Sequence, residues 1–346
     1  MFDKQEAQIV DFIKETSENS SKQLFDALDL SLSYATFKRV LARLVSNNYL
    51  VTQGRGKATR YSLSPAFELI RPVDLEQYYQ KEADERTIRE GFNFQLITNT
   101  LSNYSVFTEN ELTKLAEWQG RYKSNIAELS ENAYKKELER FAIDLSWKSS
   151  QIEGNTYSLL ETERLLKEKE TASGKTKEEA IMLLNHKDAL DFIVQHRDYL
   201  DALTVSRIED IHSILVKDLG VERNLRKRRV GISGINYQPL DNQFQITEAL
   251  KDACELINKK ASIFEKALLA LALISYIQPF MDGSKRTARM ISNAILMCHG
   301  YCPLSFRTVN SLDYKKAMLL FYEQNNIASF KKIFTNQFEF AVNTYF

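Results

Sequence analysis

The chain has 346 residues, and its 46 Lys and Arg balance 46 Asp and Glu, which excludes a generally basic or acidic polypeptide. Hydrophobic residues make up 44% and charged residues 27% of the chain, values that exclude a wholly disordered protein and predict sizeable cores. The charge is unevenly distributed, because residues 1–30 carry three Lys against seven acids whereas residues 31–64 carry six Lys and Arg and no acid. The second segment is therefore expected to contact a partner that carries phosphates.

Residues 1–64 are predicted to fold as three helices followed by two strands. The capping-box pattern Ser20-x-x-Gln23 predicts a short second helix that reaches Leu30, and Ser33 predicts the start of a third. The segments YLVTQ and ATRYSLS flank a glycine-containing turn and alternate as paired strands do. This order resembles a winged helix-turn-helix domain, in which the third helix enters the major groove of DNA and the wing contacts the backbone.

The third predicted helix and the hairpin carry the cations that such docking requires, since neutralised phosphates supply most of the affinity for DNA. We therefore expect DNA binding through residues 31–64, with six contributing residues: Lys38, Arg39, Arg43, Arg55, Lys57 and Arg60. The alternative is a winged domain that contacts proteins, with these cations forming a solvated face.

Residues 65–140 are expected to form a helical connecting region without a readable motif, followed by a further domain over residues 141–346. Between Val73 and Gln238 the chain contains no proline, and glycine is sparse throughout, so helix breakers are few.

The uncharged stretches 267–281 and 290–306 are too short and too interrupted by polar residues to span a bilayer, which needs about 20 apolar residues, so we expect buried helices and no membrane contact. The N-terminus lacks the pattern of a signal peptide, which predicts a cytoplasmic protein. Three cysteines are too few for a disulfide framework. Although Cys298, His299 and Cys302 lie close together, one such cluster is weak evidence for zinc, and buried reduced thiols are expected.

The most informative segment, residues 278–289, reads QPFMDGSKRTAR between two apolar helices. A glycine turn that opens a helix directs backbone N–H groups, together with the helix dipole, at an anion. Arg286 and Arg289 share one helix face and can grip phosphate oxygens together. Asp282 is placed to hold a Mg²⁺ ion that bridges those oxygens.

This segment resembles the signature of the Fic/Doc (Fido) family, His-x-Phe-x-(Asp/Glu)-Gly-Asn-(Gly/Lys)-Arg-x-x-Arg, and the resemblance covers roughly residues 141–340. Members typically transfer AMP from ATP to a hydroxyl side chain of a target protein, whereas the Doc branch transfers phosphate. The resemblance implies a mainly α fold, with a Fic-type helical core and a β-hairpin flap, and it implies ATP, Mg²⁺ and an unidentified target protein. Fic cores often self-associate, so a homodimer is one option. The implied nucleotide-binding residues are Gly283, Ser284, Lys285, Arg286 and Arg289.

Two further segments extend the resemblance. Residues 226–239 resemble the flap hairpin, which aligns a target by strand pairing, and its implied docking residues are Gly231, Ile232, Ser233, Gly234 and Tyr237. Residues 149–155, SSQIEGN, match the inhibitory motif (Ser/Thr)-x-x-x-Glu-(Gly/Asn). The match implies that Glu153, with Ser149, pairs with Arg289 and blocks the position needed by the γ-phosphate of productive ATP.

The main departure from the family is Gln278, which stands where the catalytic His is expected. An amide can orient a hydroxyl but cannot accept its proton near neutral pH. Ser284 replaces the family Asn and still donates a hydrogen bond. The four histidines all lie outside this loop in sequence: His186, His196, His212 and His299.

Two hypotheses follow from this combination of motifs. The first is an adenylyltransferase that is auto-inhibited by Glu153 and impaired by Gln278. The second is a non-catalytic, nucleotide-sensing transcriptional regulator or scaffold that reports to the winged domain. A different transfer reaction, or a reverse reaction that uses water, stays open.

Overall fold

The fold was analysed in a computed structural model of the chain, which describes residues 2–89, 91–232 and 234–346. It is mainly α-helical, as predicted. The α-helices within these ranges are α1 (Lys4–Thr16), α2 (Ser21–Ala27), α3 (Tyr34–Ser46), α4 (Phe67–Ile70), α5 (Leu75–Tyr78), α6 (Leu101–Asn103), α7 (Glu109–Glu128), α8 (Glu131–Ile152), α9 (Leu159–Glu168), α10 (Lys177–Gln195), α11 (Val205–Leu215), α12 (Gln243–Lys259), α13 (Ile263–Ile277), α14 (Ser284–Cys298), α15 (Ser311–Gln324) and α16 (Ala328–Thr344). Shorter 3-10 helices span Gly56–Ala58, Ala83–Glu85 and Arg197–Leu200, and a π-helical turn spans Leu96–Thr100.

The N-terminal segment forms the predicted three helices and a hairpin. Ser20 and Gln23 make the expected capping box at the start of α2, and Ser33 caps α3. The helix α2 ends earlier than Leu30 because the backbone becomes extended at Leu28, from where the leucines pack against the N-terminal core. Strand β1 (Leu50–Gln53) pairs antiparallel with β2 (Arg60–Leu63).

Apart from a four-residue cluster around Leu165 and Leu183, the buried hydrophobic side chains of the described residues form two cores. The smaller one joins α1, α2, α3 and β1 through residues such as Ile9, Leu24 and Phe37. The larger core takes residues from the predicted connecting region, including Leu115 and Trp118 of α7, together with those of the C-terminal helices. The long helix of the connecting region therefore packs into the same core as the segment that carries the nucleotide motif.

Helices α13 and α14 lie at the centre of the larger core. From Phe264 to Ile277 nearly every side chain of α13 is buried, which agrees with its apolar sequence and with the expected buried helix. The helix α14 is also largely buried, although it carries two arginines. Across the described ranges, none of the helices is both long and apolar enough to cross a bilayer.

Among the described residues of 226–239, the hairpin implied by the resemblance is not formed. The segment has no strand there, and Gln238 makes only an isolated parallel bridge with Gly91. One reason is that the Arg226 side chain is buried and donates to the carbonyl oxygens of Arg228 and Gln278, at 2.8 and 2.6 Å, which holds the start of the segment against the core.

The connecting region supplies the second reason. Arg86 Nη2 donates to the carbonyl oxygen of Gly234 at 2.9 Å, so this backbone acceptor is already used. The same Arg86 forms a buried ion pair with Glu323 of α15 at 2.9 Å. The middle of the flap segment is thus held by contacts with another part of the same chain.

Candidate functional site

The loop between α13 and α14 begins the candidate site, and its conformation depends on Gly283. This residue has φ +81° and precedes α14 without any side-chain cap, so the first N–H groups of the helix are left for another partner. A Cβ at this position would lie 3.1 Å from His212 Cε1 and 3.2 Å from Val216 Cγ1, so both the backbone conformation and the tight space favour glycine. Ser284 Oγ fixes the loop by accepting from the Phe280 N–H at 3.1 Å.

Two arginines of α14 are enclosed beneath this loop. Arg286 and Arg289 are 1% and 0% exposed, and each keeps an Nη1 group without a hydrogen-bond partner among the described residues. Arg286 Nη2 donates to Asp282 Oδ2 at 2.9 Å. Buried guanidinium groups with unused donors, next to a free helix N-terminus, form a site suited to an anion.

Glu153 closes this site from the end of α8. Its Oε1 accepts from Arg289 Nη2 at 2.7 Å, and its Oε2 lies 3.9 Å from Lys285 Nζ. Arg289 also donates to the Ser149 hydroxyl at 2.7 Å and to the Ser149 carbonyl at 2.9 Å. Burial raises the pKa of Glu153, but Arg289, Lys285 and Arg286 outweigh it and hold that pKa below its ordinary value. The contact implied by the sequence motif is therefore present, with an ionised carboxylate.

Gln278 ends α13 in the left-handed region, with φ 51° and ψ 59°. Its Nε2 donates to the Ser275 carbonyl oxygen at 2.6 Å and to the Tyr322 hydroxyl at 3.1 Å, so the amide is held in one orientation. The Tyr322 hydroxyl donates to the same carbonyl at 2.7 Å. These hydrogen bonds hold the Gln278 side chain in place, and neither of its two partners is a basic group.

His212 is remote from this loop in sequence but contacts it in space. Its ring stacks on Phe280 with centroids 3.5 Å apart, and its Nδ1 lies 3.1 Å from Thr287 Oγ1. Burial lowers the pKa of His212 to about 4, with the nearby Arg286 acting in the same direction. His212 is thus a neutral support for the loop, and it was missed because its position on the apolar face of α11 is typical of a core residue.

The inhibitory motif, the flap segment and the α13–α14 loop all contribute residues to one cavity of about 330 Å³. This size is within the range of small-ligand sites. It is lined by Glu153, Gly231, Ile232, Gln278, Lys285, Lys315, Met318 and Leu319. The residues of α15 in this set were not predicted from sequence, because nothing in that helix resembles a binding motif.

Gly234 and Tyr237, two further residues of the predicted flap, do not line this cavity. Tyr237 is 2% exposed, and its ring stacks on Tyr276 with centroids 5.1 Å apart, so the aromatic ring is part of the core and a docking role of this residue would be limited to its backbone. Gly234 is held by Arg86, as described above. Ser233 lies outside the described residues.

The predicted DNA-binding cations fall into three groups. Lys38, Arg39, Arg55 and Arg60 are exposed. For Lys57, the side chain lies outside what the structure describes. Arg43 is also exposed, but its side chain pairs with Asp3 at 2.7 Å and with Glu6 at 2.8 Å. Asp3 and Glu6, at the start of α1, thus offset the positive charge of Arg43.

Comparisons with known proteins agree with this architecture. The model of the Fic/DOC family matches residues 202–296. Protein adenylyltransferase Fic of Nematostella vectensis is 32% identical over 182 residues, which are 48% of this chain and 40% of that protein. Protein adenylyltransferase fic-1 of Caenorhabditis elegans is 25% identical over 170 residues, 47% of this chain and 33% of that protein. The chain thus spans less than half the length of these curated relatives.

Solved structures show a similar fold. Fic-1 (residues 134–508) from C. elegans matches with a TM-score of 0.57 and 19% identity, covering 68% of this chain and 72% of that chain. A Fic domain containing signaling protein from Bacteroides thetaiotaomicron matches with a TM-score of 0.56 and 21% identity, covering 66% of this chain and 94% of that one. The predicted fold class, mainly α with a Fic-type helical core, is therefore confirmed, apart from the flap hairpin.

Proposed function

Since the chain contains a Fic/DOC family domain, we propose that it binds ATP at the α13–α14 loop and is of the protein adenylyltransferase type, auto-inhibited by Glu153 and impaired by Gln278. The observation that carries this proposal is the contact between Arg289 and Glu153 at 2.7 Å. A fully buried arginine beside an uncapped helix N-terminus suits a phosphate, and here a carboxylate of the same chain takes that position.

The phosphate groups would be held by the first N–H groups of α14 and by the unused Nη1 donors of Arg286 and Arg289. Lys285, which lines the cavity, adds a positive charge on the same side. Asp282 would hold Mg²⁺, an ion that proteins bind through one or two carboxylates and the phosphates of the substrate. This ion would neutralise charge on the phosphate oxygens when bound.

Proton transfer is the weak step of the proposed reaction. Gln278 can orient the hydroxyl of a target protein, but its amide cannot accept the proton, and the absence of a general base lowers rates by about 10²–10⁴. The side-chain amide donates to the Ser275 carbonyl oxygen and the Tyr322 hydroxyl, and neither group is a general base near neutral pH. This feature also favours a second candidate, a nucleotide-sensing regulator that does not turn over.

We further propose that residues 31–64 bind DNA through the exposed side chains of Lys38, Arg39, Arg55 and Arg60. An exposed cationic helix followed by a cationic hairpin is suited to a groove and its flanking phosphates. One chain would then bind both a nucleotide and DNA, which is typical of a regulator.

Labelling with ATP that carries the label on its α-phosphate distinguishes these functions. The wild-type chain, Glu153→Gly, and the double variant Glu153→Gly with Gln278→His are incubated with cell lysate, and ATP binding is measured by calorimetry. We expect weak labelling by Glu153→Gly and at least about 10²-fold more by the double variant. Arg286→Ala in the same background is the control and should abolish both binding and labelling.

The outcomes separate the two candidates. If Glu153→Gly binds ATP but labels nothing, the natural protein is a nucleotide sensor, even when Gln278→His restores labelling. If no variant binds ATP, both the enzymatic and the sensing functions are wrong.

A further inference from the structure

A second cluster of functional side chains, each able to bind a metal ion, lies at the C-terminal end of α14, away from the α13–α14 loop. Asp201, Cys298 and His299 each offer one ligand atom, and these atoms lie within 4.8 Å of one another. Cys298 ends α14, and Asp201 directly follows the 3-10 helix Arg197–Leu200, which packs against α14. Residues that are about 100 positions apart in sequence thus meet at one point.

The hydrogen bond of the His299 ring determines which of its nitrogens keeps a lone pair. Its Nδ1 lies 2.9 Å from the carbonyl oxygen of Ile295, and a carbonyl can only accept, so Nδ1 carries the hydrogen. The lone pair is then on Nε2, which is the usual arrangement of a metal-bound histidine whose other nitrogen donates to the backbone. The C-terminal end of a helix also favours a cation, because its last carbonyl groups carry partial negative charge.

The charges around Cys298 come from several elements. Burial raises the pKa of the Cys298 thiol, and Asp201 and Asp198 raise it further, while Arg207 of α11 and Lys266 of α13 act in the opposite direction. A cysteine that binds a thiophilic cation does so as the thiolate and releases its proton.

The cluster differs from the one considered in the sequence. Cys302 is fully buried, and its Sγ contacts the carbonyl of Pro303 at 3.6 Å, which leaves it outside the group of converging ligands. Asp201 takes its place as the third ligand. A carboxylate, a thiol and an imidazole form a donor set typical of zinc, which binds oxygen, sulfur and nitrogen ligands in tetrahedral sites.

We propose that Asp201, Cys298 and His299 form a three-ligand site for a thiophilic divalent cation, with Zn²⁺ as the expected metal and water in the fourth position. The ion joins the 3-10 helix Arg197–Leu200 to the end of α14. Because it binds the folded chain, it stabilises the folded state by an amount that grows with the logarithm of its concentration relative to its dissociation constant. This inference is independent of the nucleotide site.

The test uses Co²⁺ as the probe, since a cobalt–thiolate bond gives a charge-transfer band and tetrahedral cobalt gives intense visible bands. The metal-stripped full chain is titrated with Co²⁺, and Zn²⁺ is then added to displace it. We expect one equivalent of Co²⁺ to bind with both signals. Cys298→Ser should remove the thiolate band, and His299→Ala and Asp201→Asn should weaken binding by more than about tenfold, a loss that even outer-shell changes cause.

Cys302→Ser is the matched control and should keep the wild-type spectrum. Because Asp201 is exposed, Asp201→Asn tests the site without disturbing the core, and Zn²⁺ should raise the melting temperature of the wild type more than that of this variant. The proposal is overturned if the wild type gives no thiolate band at saturating Co²⁺, or if the band persists in Cys298→Ser.

Discussion

Arg289 Nη2 and Glu153 Oε1 lie 2.7 Å apart, and this contact joins the end of α8 to the middle of α14. The arginine side chain is fully buried, whereas the glutamate keeps 19% of its side-chain surface exposed. The pair therefore lies at the edge of the cavity, where a competing anion can reach the guanidinium only if the carboxylate leaves.

Glu153→Gln should bind ATP at least about tenfold more tightly than the wild type. The neutral amide competes less strongly with phosphate for Arg289, and each 1.4 kcal/mol by which this competition falls raises the affinity tenfold. The same substitution should lower the free energy of unfolding without nucleotide, since removing one partner of a buried ion pair costs about 3–5 kcal/mol. Calorimetry measures the first effect and urea denaturation, with and without ATP, the second. Glu163→Gln, which breaks only the exposed pair with Lys167, is the control. Equal ATP affinity in wild type and Glu153→Gln would contradict the inhibitory role.

Gly283→Ala should destabilise the protein more than a comparable change elsewhere. An alanine at φ +81° is strained, which costs at least about 1 kcal/mol, and its Cβ would also press against His212 at 3.1 Å. Gly174→Ala provides a matched control, because Gly174 has φ +76° but no neighbour within 4 Å of a Cβ. The difference between the two variants in urea denaturation measures the contact itself. Identical losses would mean that the loop moves away from His212 without cost.

Local features explain why the glycine turn between α13 and α14 could be predicted from sequence. The turn at Gly283, the caps Ser20 and Ser33, and the helical spacing of Arg286 and Arg289 each depend on neighbours within a few residues. Interactions of this kind are encoded in short segments, so motif and pattern are sufficient to locate them.

The features that sequence did not predict depend on distant partners. The flap segment, 226–239, makes its contacts with Arg86 and Gly91 instead of forming a hairpin, and no local pattern in that segment indicates this. The charge of Arg43 is taken by Asp3 and Glu6, almost 40 residues earlier. Asp201 joins Cys298 and His299 only because of helix packing. Contacts between segments that are distant in sequence thus override the structure that the local sequence of each segment favours.

The exposed cations of α3 should determine the salt dependence of DNA binding. Lys38→Ala and Arg39→Ala should each weaken binding to a DNA duplex and reduce the slope of log affinity against log salt concentration by about one. Arg43→Ala is the informative control, since this side chain is already paired with Asp3 and Glu6. It should leave the salt slope unchanged and lower stability slightly. A salt series of fluorescence-anisotropy titrations measures all three variants, and an equal change of slope in Arg43→Ala would show that its ion pairs open on DNA.

Stability should fall as the pH is lowered from neutral, because of two buried histidines. Burial lowers the pKa of His212 to about 4, and burial together with Arg286 and Arg289 lowers the pKa of His186 well below its ordinary value. The folded chain thus keeps both imidazoles neutral where the unfolded chain protonates them near pH 6.5. The unfolded state binds more protons in this window, so the free energy of unfolding decreases with falling pH.

For each histidine the slope approaches about 1.4 kcal/mol per pH unit below its unfolded-state pKa and, for His212, levels off near pH 4. Urea denaturation is followed between about pH 7 and pH 5, where Glu153, with its lowered pKa, stays ionised. His212→Gln should be less stable at neutral pH, because the stack on Phe280 is lost, but its stability should depend less steeply on pH. His196→Gln, at an exposed position, should retain the wild-type slope. If His212→Gln keeps the full slope as well, the folded chain does not hold His212 neutral, and its assignment as an uncharged support of the α13–α14 loop is wrong.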